Sequence, residues 1–165
     1  MRKQKKGFTL IELLIVIGII AILAAIIFVA IDPAKRLAEA RNAQRWSSVN
    51  SILNAILKYT VDNAGILPAT LTAIDNDAAT VQIIGENTGG VPCPAACTGQ
   101  SVAPANCFVT GLNDDLVDVY LASIPEDPLT GDADDTRYYL NKSPAGRITV
   151  GACDPEQGVS ISVSR

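Results

Sequence analysis

The sequence predicts an α+β fold, a long N-terminal helical spine followed by a head built on a small antiparallel β-sheet, and three observations predict it. An apolar run from Phe8 to Ile31 carries a single charge, Glu12. Beyond Asp32-Pro33, apolar residues recur at three- and four-residue steps as far as Ala64, the spacing of one helix face. Near the C-terminus, three segments rich in β-branched residues and tyrosine are separated by turn sequences. A chain of 165 residues that gives its N-terminal part to an apolar helix has room for one compact head of roughly 100 residues.

The run from Phe8 to Ile31 would reach roughly 36 Å at about 1.5 Å per residue, enough to cross a hydrocarbon core of roughly 30 Å. Only Thr9, Glu12 and Gly18 interrupt its aliphatic character. Its Leu, Ile, Val and Phe side chains, each worth a few tenths of a kcal/mol, together outweigh one carboxylate that costs about 3 kcal/mol at a helix centre. Arg2, Lys3, Lys5 and Lys6 precede the run and Asp32 follows it, so the short N-terminus stays cytoplasmic and the rest faces outward. The stretch AILAA at 21–25 imitates a secretory cleavage site, but the apolar residues continue beyond it, unlike those of an ordinary signal peptide.

Asp32 can cap a new helical start with Pro33 at its first position, where a missing N–H is harmless; a continuous, kinked helix is the alternative. Ala38, Trp46, Val49, Leu53, Ile56, Leu57 and Thr60 form the apolar face, while Lys35, Arg36, Glu39, Arg41 and Arg45 crowd the first turns. Gly65 and Pro68 end the helix near Ala64. The expected organisation is a basic leader at 1–7, an apolar helix at 8–31, an amphipathic helix at 32–64 and a head at 65–165.

Within the head, Thr70 to Gly111 reads mostly as loop, with one short strand, TVQIIG at 80–85. Asn113 is placed to cap a helix from Asp114 to Ala122, stopped by Ile124-Pro125. RYYLN (137–141), RITVGA (147–152) and VSISV (159–163) read as strands, joined through KSPAG and DPEQG into an antiparallel meander. Cys93, Cys97, Cys107 and Cys153 read as disulfides, because their spacings lack the paired knuckles of zinc ribbons. Three pairings are open, and one bridge within the 93–107 loop with one from the loop to Cys153 is favoured.

The formal net charge is −4, and loss of the basic leader would make the rest more acidic still. Such a surface disfavours phosphate backbones, so no direct nucleic-acid binding is expected. Histidine is absent. That removes the usual general base and the commonest transition-metal ligand, and the expectation is a protein that is not an enzyme.

MRKQKKG followed by FTLIELL resembles the class III signal peptide of type IV pilins and type II secretion pseudopilins, a resemblance that covers roughly the first sixty residues. It implies a pilin-like fold, cleavage between Gly7 and Phe8 by prepilin peptidase, methylation of the new Phe8 amine, and assembly into a homopolymer through the N-terminal helices by a pilus or type II secretion machine. The precursor would sit in the cytoplasmic membrane and the product in an extracellular or periplasmic filament. In that family, Glu12 would aid extraction and pair with the Phe8 amine of a neighbouring subunit. A carboxylate entering a helical core loses solvation, an opposite charge restores much of it, and a slipped subunit would leave both unpaired.

The acidic segment SIPEDPLTGDADDTRYYL resembles the calcium-binding loop of major pseudopilins. That resemblance implies a structural calcium ion held by Asp127, Asp132, Asp134 and Asp135 with backbone carbonyls near Leu129. The loop lacks the aromatic residue that often follows the second proline, and it lacks the distal glutamate of an EF-hand. Pilin, major pseudopilin, and a minor or tip pilin in adhesion or DNA uptake are the candidate roles. The last of these would show a basic stripe or exposed aromatic patch on the head.

Overall fold

The computed structural model of the chain describes residues 7–72, 74, 79–94, 96–104 and 106–165. Arg2, Lys3, Lys5 and Lys6 of the expected leader lie outside the described residues. The chain divides into two compact units, Met1–Ala38 and Glu39–Arg165.

In the first unit, helix α1 spans Leu10–Ile31, and none of its residues is buried. Among the described residues, it is the one helix long and apolar enough to cross a membrane. It ends at Asp32, whose φ of 45° is left-handed, a conformation that Asp tolerates better than most residues because its short side chain can bond locally. Helix α2, Pro33–Asp62, starts at once. The Asp32 carboxylate accepts the Lys35 N–H at 3.4 Å and its carbonyl accepts that of Arg36 at 3.2 Å. Asp32-Pro33 is thus a stop followed by a capped start, the first of the two readings the sequence allowed.

In the second unit, α2 buries Val49, Ile52, Leu53, Ala55 and Ile56 in the main core. The buried face differs from expectation: Trp46 is 42% exposed, whereas Arg45, one residue earlier, and Ile52 are 0% exposed. The buried stripe is Asn42, Arg45, Val49, Ile52, Leu53 and Ile56, an i, i+3, i+4 series that a polar residue joins because its partners lie elsewhere in the head. At the C-terminal end Ala64 takes φ 55° and the Gly65 N–H bonds the Thr60 carbonyl at 2.7 Å, the wrap of a Schellman turn. A one-turn helix, α3 (Ala69–Thr72), then buries Leu71.

Seven strands follow: β1 (Thr80–Ile84), β2 (Ala96–Cys97), β3 (Gln100–Val102), β4 (Phe108–Val109), β5 (Tyr138–Lys142), β6 (Ile148–Ala152) and β7 (Ser162–Ser164). Their order is β2-β3-β1-β5-β6-β7, with β4 also beside β1. The meander β5–β6–β7 is antiparallel as expected, with Leu140 opposite Val150 and Val150 opposite Val163. The wholly antiparallel sheet is corrected, because Thr80 and Val81 run parallel to Ser101 and Val102, and Ile83 and Ile84 run parallel to Phe108 and Val109. Segments of two or three residues carry no readable alternation, so the loop region concealed them. β7 also starts later than expected, at Ser162 rather than Val159.

The helix expected at Asp114–Ala122 is instead α4, Leu112–Leu116, with Gly111 at its N-cap and no side-chain cap from Asn113. Leu112 and Leu116 are one turn apart and both buried, so they set where the turn begins. Val117 in an extended conformation ends it.

Strand β5 is buried at all five positions because its two faces serve different cores. Tyr138 and Leu140 join the α2 side, whereas Tyr139 joins Val81, Ile83, Val102 and the cysteines on the other. Gly151 sits directly opposite Tyr139 in β6, and any Cβ there would overlap the tyrosine ring. A glycine inside a strand often marks such a close approach.

Candidate functional site

The N-terminal site is built on the first turn of α1. Phe8 is 83% exposed and immediately precedes Thr9, which is the N-cap residue in extended conformation, φ −82° and ψ 152°. Thr9 Oγ1 accepts the Glu12 N–H at 3.3 Å and donates to Glu12 Oε2 at 2.7 Å. The Thr9 N–H donates to the same Oε2 at 2.9 Å. This is a reciprocal capping box, which satisfies helix-end donors that have no intrahelical partner. The T-x-x-E spacing carries that signal in the sequence, and the reading of Glu12 as an assembly residue passed over it. The cap supplies neutral partners only; no cation among the described residues pairs with Glu12. Its carboxylate therefore sits one turn after Phe8, held in place by Thr9.

In the head, the disulfides are Cys93–Cys107 and Cys97–Cys153, one within the loop and one from the loop to Cys153, the favoured pairing. Cys97, Cys107 and Cys153 belong to the second core; the Cys97–Cys153 bridge ties β2 to the end of β6, and Cys93–Cys107 closes the loop that leads into β4.

The acidic loop is organised by arginines. Arg45 Nε and Nη2 meet Asp127 Oδ2 and Oδ1 at 2.6 and 3.0 Å, with both side chains fully buried. Asp127 Oδ1 also accepts the N–H groups of Leu129 at 2.9 Å and Thr130 at 3.1 Å. Burial pushes the Asp127 carboxyl up, but the Arg45 guanidinium and these two amides outweigh it and hold the group below its usual value.

Arg45 Nη1 reaches Glu156 at 2.9 Å, and Arg41 binds the same carboxylate through Nε at 2.6 Å. Asn42 completes the clasp, donating to the Glu156 carbonyl at 2.9 Å and accepting its N–H at 3.0 Å. Arg137 makes a second fork onto Asp154 at 2.7 and 2.9 Å. Asp132 caps its own turn by accepting the N–H groups of Asp134 at 3.0 Å and Asp135 at 2.8 Å. Asp134 turns to Thr88, accepting its N–H at 2.7 Å and its hydroxyl at 2.6 Å. Asp135 accepts the Arg137 N–H at 3.0 Å.

The four aspartates are therefore neighbours in sequence with separate partners. Among the described residues no group of three or more His, Cys, Asp or Glu is arranged to hold a metal ion. Sequence reasoning missed Arg45, which it placed with the solvated charges. Its position four residues before Val49 on the apolar stripe was the available signal.

These charges set an acid limit. The Arg41 guanidinium, with Arg45 beside it, brings the Glu156 carboxyl from 4.5 down to about 2, and Arg137 likewise lowers Asp154. A depressed carboxylate contributes stability above its unfolded value; as pH falls, the unfolded chain takes up protons first and that stability is lost. The urea midpoint is therefore expected to hold above pH 4.5 and to fall between 4.5 and about 2. A midpoint that stays constant through that range would contradict the clasp.

A cavity of about 520 Å³ opens beside β1 and α4, lined by Ile84, Val109, Leu112 and Ile124 below four carboxylates, Glu86, Asp114, Asp118 and Glu126. No Lys, Arg or aromatic side chain is among its lining residues.

An α+β protein with an apolar, capped N-terminal helix and a disulfide-tied head is the class these features define. Residues 2–28 match the prokaryotic N-terminal methylation motif, the class III signal peptide of type IV pilins and pseudopilins. The motif implies a prepilin peptidase substrate in a pilus-assembly context, with α1 as the membrane anchor. No curated protein and no solved structure gives a significant match to the chain.

Proposed function

We propose that the chain is a prepilin: a structural subunit, not an enzyme, cut between Gly7 and Phe8, methylated on the Phe8 amine, and polymerised through its N-terminal helices into an extracytoplasmic filament. The observation that carries this is the position of Glu12. Within a methylation motif, a carboxylate is pinned one turn beyond the residue whose amine cleavage would free. The apolar residues around it supply adhesion without register, since one leucine face slides over another at little cost. The charge supplies register, because only one axial offset sets it against a neighbour's Phe8 amine.

Mass spectrometry of the mature chain should find an N-terminus at Phe8 carrying a methyl group. A retained leader or cleavage after Ala25 would sink the reading. Two substitutions separate register from capping. Glu12→Gln keeps a cap acceptor and removes the charge, and should lower fibre yield roughly tenfold or more, because a neighbour's ammonium is left unpaired in the core. Thr9→Ala removes the side-chain half of the cap, leaves the backbone N–H of position 9 on the carboxylate and keeps the charge, and should leave fibres largely intact. Equal loss in both would make Glu12 only a capping residue.

The Pro125-Glu126-Asp127-Pro128 turn leading into Tyr138-Tyr139 favours a second reading, the major pseudopilin of a type II secretion system. Surface fibres containing the chain support the pilus. A secretion defect on deletion, without fibres, supports the pseudopilus.

A further inference from the structure

The resemblance of the 125–140 segment to a calcium loop implies a divalent cation, and the residues present do not fit one. Calcium needs six to eight oxygen ligands converging at about 2.3–2.6 Å. Here both Asp127 oxygens face a guanidinium in a dry site. Asp127 Oδ1 also takes the N–H groups of Leu129 and Thr130, and one oxygen each of Asp132, Asp134 and Asp135 takes amide N–H groups, from Asp134 and Asp135, from Thr88 and from Arg137. Amides turned inward stabilise an anion and present their positive ends to any incoming cation. At Leu129 the backbone group in use is the N–H, donated to Asp127 at 2.9 Å.

We propose that the guanidinium groups of Arg45 and Arg137 are the built-in counter-charges of this loop, and that the segment folds and holds its shape without calcium or any other divalent ion. Arg45 reaches it from α2 and Arg137 from the loop's own end, where it locks Asp154 at 2.7 and 2.9 Å and accompanies Asp135 at 3.4 Å. A metal ion could take Asp127 as a ligand only by displacing Arg45, leaving a buried guanidinium with half its partners gone. The covalent counter-charge cannot dissociate, so loop order is independent of the ion content of the medium. This inference concerns the head alone and stands or falls apart from filament assembly.

The test is thermal unfolding of the full chain in detergent micelles, followed by far-UV circular dichroism in millimolar calcium, in millimolar magnesium at matched ionic strength, and in chelator. The midpoint is expected to be the same in all three, and isothermal titration with calcium chloride to show no saturable heat. Arg137→Gln should lower the midpoint equally with calcium and with chelator. A calcium-specific rise of roughly 5 °C or more, lost in Asp132→Asn combined with Asp134→Asn, would overturn the proposal. So would an unchanged midpoint in Arg137→Gln, which would show that its guanidinium neutralises nothing of consequence.

Discussion

Replacing Arg45 with methionine should destabilise the head by about 3 to 5 kcal/mol, the cost of leaving a buried carboxylate without its partner. Methionine fills much of the arginine's volume, so the loss is electrostatic rather than a cavity. Asp127 would then sit fully buried with the Leu129 and Thr130 amides and the Thr130 hydroxyl to hold its charge, and it would either stay ionised at high cost or take up a proton. Protonation links the deficit to pH: the variant should lose least at acid pH, where Asp127 is neutral in the unfolded chain as well. The second arm of Arg45, onto Glu156, is lost together with the first. Asp127→Asn on its own leaves the guanidinium facing an amide and should also be costly. The double variant should cost less than the sum, because each single change strands the other partner. Urea unfolding of the four proteins closes the cycle. A loss below about 1 kcal/mol for Arg45→Met would rank the pair with exposed surface bridges.

The parts of this fold that could be read from the sequence are those whose cause is local. Asp32-Pro33 is a cap and a first-turn proline within two residues, and the structure stops and restarts the helix there. Strands β5 and β6 lie within a residue of their expected limits because Val, Ile, Tyr and Leu alternate over two cores. The cysteines carried a preference for one long bridge and one short one, and the structure has both.

What was not legible depends on partners far along the chain. Arg45 is separated from Asp127 by 82 residues and from Glu156 by 111, so from its own neighbourhood it resembles any solvated arginine beside Arg41. The parallel pairing of β1 with β3 and β4 comes from hydrogen bonds such as Ala103 N–H to the Val81 carbonyl at 3.0 Å, contacts that two- and three-residue strands do not announce. The aspartates show the converse. They lie close in sequence and the resemblance implied one shared ion, whereas in the structure each has its own hydrogen-bond donors. At the N-terminus, the T-x-x-E spacing was local and readable, yet the oddity of a charge in an apolar run drew attention from it. Capping and assembly are compatible uses of one carboxylate, since a cap fixes the rotamer that a neighbour must meet.

Removing the Cys97–Cys153 bridge, as Cys97→Ser with Cys153→Ser, should cost about 4 kcal/mol, and removing Cys93–Cys107 in the same way about 3 kcal/mol. The bridges span 56 and 14 residues of sequence, and in the chain-entropy account the longer loop gives the unfolded ensemble more freedom to regain. The larger effect has a structural side as well. Thr98, next to Cys97, donates its hydroxyl to the Ala152 carbonyl at 2.8 Å, so release of the bridge also loosens the contact between the β2–β3 turn and the end of β6. Cys153 directly precedes Asp154 and stands three residues before Glu156, the turn that Arg137, Arg41 and Arg45 hold. The long bridge and the arginine clasp therefore restrain the same five-residue turn, and Arg45→Met combined with loss of Cys97–Cys153 should depart from additivity. Loss of Cys93–Cys107, whose residues share no partner with the clasp, should add to Arg45→Met within about 0.5 kcal/mol. Urea titrations of the six proteins would measure both couplings. Equal additivity for the two bridges would mean that the turn at 154–158 is held by its own hydrogen bonds rather than by the elements on either side of it.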